Sequence, residues 1–159
     1  MLGKSDQEVL IGKRVISDAK VAIIRARYNG EFTRKLEEAC VETLLEAGLS
    51  KKQILMVSVP GSLEIPITAQ RVAIAKRADV IIALGVILKG NTYHFELVSS
   101  ECARGCMEVS IKHNIPVIFE VLSAYSLAQI KKRTSGKNNK GREAALSALE
   151  MLTALGKIK

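Results

Sequence analysis

Four short loops gather the residues most able to do chemistry: Arg27-Tyr28-Asn29-Gly30, Pro60-Gly61-Ser62-Leu63-Glu64, Lys89-Gly90-Asn91-Thr92-Tyr93-His94, and the turn Leu122-Ser123-Ala124 with Phe119 just before it. Lys89-Gly90-Asn91-Thr92 runs straight into a helical pattern. Free backbone amides, the positive end of the helix dipole and the Thr92 hydroxyl can together cradle a phosphate there. The run matches neither common glycine-rich nucleotide fingerprint, and a plain glycine turn capped by Thr92 is its simplest reading. His94 falls in the first turn of the helix. The dipole there favours a neutral, proton-accepting imidazole beside a bound anion, although a single histidine is as readily a surface or core residue. Glu64 can contact a ligand or merely complement the dipole of the helix it opens. Tyr28 can stack on a flat heterocycle or pack under its own loop.

These loops need strands behind them and helices ahead of them. Lys20–Arg27 is a short β-rich run. From Glu31 to Ala47 the apolar residues Phe32, Leu36, Cys40 and Leu44 recur every four positions, which predicts strand, turn and helix. Gly48 ends that helix, and Gln53–Val59 forms a second strand closed by Pro60-Gly61. Pro66 suits the first turn of a helix over 65–77, and Asp79–Leu88 is an almost wholly apolar strand. A long amphipathic helix over Thr92–Asn114, a strand over Pro116–Leu122, and helices over Ser126–Arg133 and Asn139–Leu155 complete the chain. Apolar strands alternating with helices predict a parallel sheet covered on both faces: a three-layer α/β/α sandwich with four strands in flavodoxin-like order. Ligands gather at the carboxyl ends of the strands in such sheets, where these loops lie. Residues 9–17 could add an N-terminal strand, lying on an edge or on a neighbouring subunit.

Composition narrows the function classes. With 159 residues, 48% hydrophobic and 25% charged, the chain has material for one domain, 1–159, with residues 1–13 read as a flexible or intersubunit segment. Charged residues interrupt every hydrophobic stretch before the roughly 20 residues a membrane helix needs. The N-terminus lacks the features of a secretory signal, so a cytoplasmic protein is expected. Cys40, Cys102 and Cys106 form no C-x-x-C pair. Cys102 and Cys106 share a helical face and could serve as a metal or redox pair, but buried packing is the commoner use of such thiols. The formal net charge is +8, from 24 Lys and Arg against 16 Asp and Glu, which invites a nucleic-acid reading. Six of the bases (Lys131, Lys132, Arg133, Lys137, Lys140 and Arg142) sit in one stretch without an acid. Such a patch suits one small anion. With three Phe, three Tyr and no Trp for stacking, nucleic acid is not expected as a partner.

Taken in order, Arg27-Tyr28-Asn29, Val59 through Pro66, Ala83 through Phe95, Pro116 through Phe119 and Asn139 through Ala145 closely resemble the 6,7-dimethyl-8-ribityllumazine synthase family. The resemblance runs from residue 14 to the C-terminus. It implies condensation of 5-amino-6-(D-ribitylamino)uracil with 3,4-dihydroxy-2-butanone 4-phosphate, with release of phosphate and water, in riboflavin biosynthesis. It implies no metal and no organic cofactor. Carried over by position, Tyr28 would stack on the pyrimidine, Ser62, Leu63 and Glu64 would hold the ribityl side, and Val86, Ile87 and Leu88 would give backbone contacts to the ring. Asn91, Thr92 and Arg133 would bind phosphate, and His94 would move protons. Phe119, Arg133 and Lys140 would come from a neighbouring subunit. The resemblance also implies a homopentamer, which in many members builds an icosahedral shell. Leu63 stands where the family often has an aromatic, Tyr28 where Phe or Trp is usual, and Glu120 where Gly commonly follows the Phe. The stretch from Arg133 to Lys140 is one residue shorter than in many members.

Other readings remain open from sequence. The archaeal-type riboflavin synthase shares the fold but dismutates two lumazines, and a non-catalytic flavin- or anion-binding module would use the same pocket without His94.

Overall fold

Apolar, β-branched runs form the strands. In the computed structural model, described over residues 11–158, Val21–Ala26 (β1), Ile54–Val59 (β2), Val80–Leu88 (β3) and Val117–Ala124 (β4) pair in parallel in the order β2-β1-β3-β4. β3 is central and buried at every position but the last. That accounts for its unbroken apolar sequence, since both faces are covered. Among the described residues six α-helices accompany the strands: Lys13–Asp18 (α1) before β1, Gly30–Glu46 (α2), Ile65–Ile74 (α3) and His94–His113 (α4) between successive strands, and Leu127–Arg133 (α5) and Lys140–Gly156 (α6) after β4.

Strand alternation sorts the core into two layers. Val21, Ile23, Val80, Ile82, Leu84 and Val86 pack with Leu36, Cys40 and Leu44 of α2 and with Ala144, Ala145, Ala148 and Leu149 of α6. Ala22, Ile24, Ile81, Ala83 and Ile87 face Ile65 and Ala69 of α3 and Val98, Cys102 and Cys106 of α4. The expected α/β/α sandwich with a four-stranded parallel, flavodoxin-like sheet is the observed fold. Cys40, Cys102 and Cys106 are all buried thiols. Burial, aided by Glu37 and Glu120, pushes the Cys40 thiol up to about 12. Its hydrogen bond with Cys106, aided by burial, likewise pushes the Cys102 thiol up.

The N-terminal strand expected over residues 9–17 is corrected. Lys13–Asp18 coils into α1, and Val9 and Leu10 lie outside the described residues. Val15 and Ile16 pack against the core beneath α2 and α6. The carbonyls of Ile16 and Ala19 each accept from Gln53 Nε2 at 2.9 Å. A helical turn half-buries those two apolar side chains against the core without a partner strand. Strand β4 also runs two residues further than expected, with Ser123 paired to Ile87 and Ala124 to Leu88.

Candidate functional site

Strand order reverses between β1 and β3, the switch point beside which open parallel sheets bind their ligands. The Tyr28 amide donates to Pro60 O at 3.0 Å and the Arg27 amide to Val59 O at 2.7 Å, so the β1 loop is fastened to the β2 loop. Asn29 takes a left-handed conformation (φ 56°), which asparagine tolerates better than most residues. Its side-chain Nδ2 donates to Val86 O at 2.8 Å and thereby ties β1 to β3 across the switch point.

The β2 loop turns through a short 3₁₀ segment, Ser62–Glu64, into α3. Ser62 is buried against β3. A Cβ at Gly85 would lie 2.7 Å from Ser62 Oγ and 3.1 Å from Val121, so glycine makes the room this serine occupies. Glu64 turns one oxygen back on its own loop, accepting from the Gly61 amide at 2.8 Å. Leu63 is exposed at the rim. Val86 and Ile87 are buried and Leu88 is half-buried, leaving mainly their backbone to meet a ligand.

Beyond β3, Asn91, Thr92 and His94 are all exposed. α4 begins at His94 rather than at Thr92, and Thr92 Oγ1 stands 3.5 Å from the His94 amide, a marginal cap. The first-turn amides of α4 lack intrahelical partners and face the rim with the dipole behind them. Tyr28 is 75% exposed and Tyr93 69%, so the rim of a single chain is an open surface.

The structure thus brings together Tyr28, Ser62, Leu63, Glu64, Val86, Ile87, Leu88, Asn91, Thr92 and His94. It does not bring Phe119, Arg133 or Lys140 to them. Phe119 pairs with Ala83, whereas Leu88 at the rim pairs with Ala124. Five residues of strand, about 16 Å, separate it from its own rim. Phe119 lies 38% exposed on an edge strand. Arg133 ends α5, its Nη1 donating to Gln129 O at 3.1 Å, and Lys140 is paired with Glu143 at 2.6 Å. An open groove of about 710 Å³ lies between α2 and the 134–142 loop, lined by Lys35, Glu38, Thr134, Lys137, Asn139 and Arg142. It too stands away from the rim.

Glu120 lies beside Phe119 on β4, directly across from Leu84. Burial, reinforced by Glu143 and opposed by Lys140, pushes its carboxyl from the ordinary 4.5 up to about 7. A carboxyl whose native pKa is raised costs nothing below its unfolded value. The cost grows between about pH 4.5 and 7 and is constant above. Glu120→Gln removes it. Thermal melts should therefore show the variant gaining more over wild type at about pH 8 than at about pH 4, and an equal difference at both would contradict this environment for Glu120.

Asn29, Lys89, Glu96 and the Phe95–Tyr125 pair were not among the site residues expected from sequence. The side chain of Lys89 meets the carboxylate of Glu96, and Phe95 stacks obliquely on Tyr125 with ring centroids 5.8 Å apart. The one available signal was the acid placed seven residues beyond Lys89, across the loop. A family model described as 6,7-dimethyl-8-ribityllumazine synthase matches residues 18–156.

Proposed function

The chain belongs to the 6,7-dimethyl-8-ribityllumazine synthase family, and from that premise we propose that it condenses 5-amino-6-(D-ribitylamino)uracil with 3,4-dihydroxy-2-butanone 4-phosphate. The observation that carries the reading is the placement of Tyr28, Ser62–Glu64 and Asn91–His94 at the carboxyl ends of the strands beside the β1/β3 switch point. It gathers a stacking ring, a carboxylate, an anion cradle and an imidazole on one rim.

In this reading Tyr28 covers one face of the pyrimidine, and the backbone of Val86, Ile87 and Leu88 fixes its edge. Ser62 Oγ and the free oxygen of Glu64 meet ribityl hydroxyls, with Leu63 beside them. Asn91, Thr92 and the first-turn amides of α4 hold the phosphate. The substrate amine attacks the ketone and water leaves to give an imine. A proton shift then expels phosphate, the resulting enol ketonises, and the second amine attacks the new carbonyl, closing the ring with loss of a second water. Each step relocates a proton, and His94 beside the phosphate acts as acceptor and then donor. Developing charge on the departing phosphate is met by the helix terminus and by Arg133. Alignment of the two reactants supplies much of the remainder.

We also assign Phe119, Arg133 and Lys140 to the site of a neighbouring subunit. The distance between Phe119 and its own rim, and the exposure of both, support sites shared between subunits of a homo-oligomer. A pentamer is the expected assembly. No helix among the described residues is long and apolar enough to cross a membrane, and we place the protein in the cytoplasm with small molecules as its substrates.

Arg133→Ala is expected to raise KM for the phosphorylated ketone about 10- to 100-fold, the usual worth of a hydrogen bond to a charged group. KM for the aminouracil should change little. Steady-state kinetics with each substrate varied in turn measure this, and an equal change in both would remove Arg133 from the phosphate. Wild-type protein that converts added lumazine to riboflavin, but forms no lumazine from the two proposed substrates, would overturn the reading in favour of dismutation.

A further inference from the structure

Lys89 opens the loop that carries Asn91, Thr92 and His94, yet its ammonium is committed elsewhere. Nζ contacts Glu96 Oε1 and stands 5.2 Å from the centre of the Phe95 ring. The Lys89 amide donates to Ala124 O at 2.8 Å, which anchors the start of the loop to the end of β4. Residues 90–95 are therefore closed at the base by an ion pair between the two residues that flank them.

Glu96 needs this partner. It lies in the first turn of α4, where its charge favours the dipole but opposes any phosphate at the same helix end. Its Oε2 is shut off from solvent and accepts no hydrogen bond among the described residues. The two side chains are 36% and 33% exposed, so water screens the pair only in part.

We propose that Lys89 is a positioning residue for the anion end of the site: it neutralises Glu96, so that this carboxylate does not repel phosphate. The inference rests on the reading that this loop binds the phosphate of the ketone. Lys89 acts here through Glu96, not by touching the anion.

Binding of inorganic phosphate by calorimetry tests this separately from turnover. Lys89→Gln should weaken phosphate binding and raise KM for the phosphorylated ketone, each about tenfold, the effect of one uncompensated charge near an anion. KM for the aminouracil should stay within about twofold. Lys89→Arg should keep wild-type values. The double variant Lys89→Gln/Glu96→Gln should recover both quantities to within about threefold, and Glu96→Gln alone should tighten phosphate. If the double variant stays as weak as Lys89→Gln, Lys89 contacts the anion itself and the proposal is wrong. Unchanged binding in Lys89→Gln also overturns it. Should that variant fail to fold, weaker phosphate binding by Glu96→Gln overturns it instead. Phosphate binding that follows the predicted pattern in a protein that makes no lumazine would sink the proposed reaction and leave this electrostatic role standing.

Discussion

A His94→Ala variant is expected to fold as the wild type does and to lose about 100-fold in kcat. General acid–base catalysis by one side chain is commonly worth about 10²- to 10⁴-fold. The lower end applies because alignment of the two reactants survives the substitution. The side chain is exposed at the first residue of α4 and lies outside both core layers, so its loss should not shift the melting temperature. KM for both substrates should change much less than kcat, since the imidazole acts on protons in transit rather than on bound groups. Stopped-flow formation of the fluorescent product measures this. Unchanged turnover in folded His94→Ala would remove His94 from the mechanism.

Gly141→Ala should destabilise the protein by about 3 kcal/mol or more, a drop of roughly 6 to 12 °C in Tm. A Cβ at Gly141 would lie 2.0 Å from the carbonyl oxygen of Leu36 and 2.8 Å from its carbon. These are backbone atoms within α2, so no rotamer change relieves the contact. α6 would have to lift from α2, and Ala144, Ala145, Ala148 and Leu149, all fully buried, would lose their seat. The junction is fixed from the other side as well. Asn139 caps α6 by accepting from the Gly141 amide at 2.8 Å, and its Nδ2 donates to Lys35 O and Thr134 O at 3.0 Å. Thermal or denaturant unfolding measures the loss, and a Tm within about 1 °C of wild type would contradict the close approach.

Much of this architecture was readable because burial on both faces leaves a plain signature. β3 is one apolar run, and α2 repeats its core residues every four positions. The missed features have physical reasons. α1 carries the same apolar residues a strand would, and only the tertiary packing of Val15 and Ile16 with the carbonyl clamp of Gln53 decides for helix. The end of β4 reads as a turn through Ser123, yet the register carries it on beside β3. Arg25 interrupts an otherwise apolar β1. Its partner Glu37, 3.1 Å away, lies on α2, twelve residues on, where sequence gives no sign of the meeting.

The rim residues were legible because each lies at or just beyond a strand end, and parallel sheets put those ends together. The separation of Phe119, Arg133 and Lys140 from that rim needed the strand register and the course of α5 and α6. The motif around Asn139 and Gly141 was visible as a pattern, while its purpose, a near contact of two helix backbones, is a fact of packing alone. Lys89 was noticed only as the start of its loop, and its pairing with Glu96 was not, because the significance of the two is mutual: either one alone is an ordinary surface charge.

The most direct test of the central proposal is the fluorescence and absorbance of the purified protein mixed with 5-amino-6-(D-ribitylamino)uracil and 3,4-dihydroxy-2-butanone 4-phosphate, read against the same mixture without protein. Lumazine should form well above the background, with one phosphate released per product. Folded protein that leaves the rate at background would contradict the account.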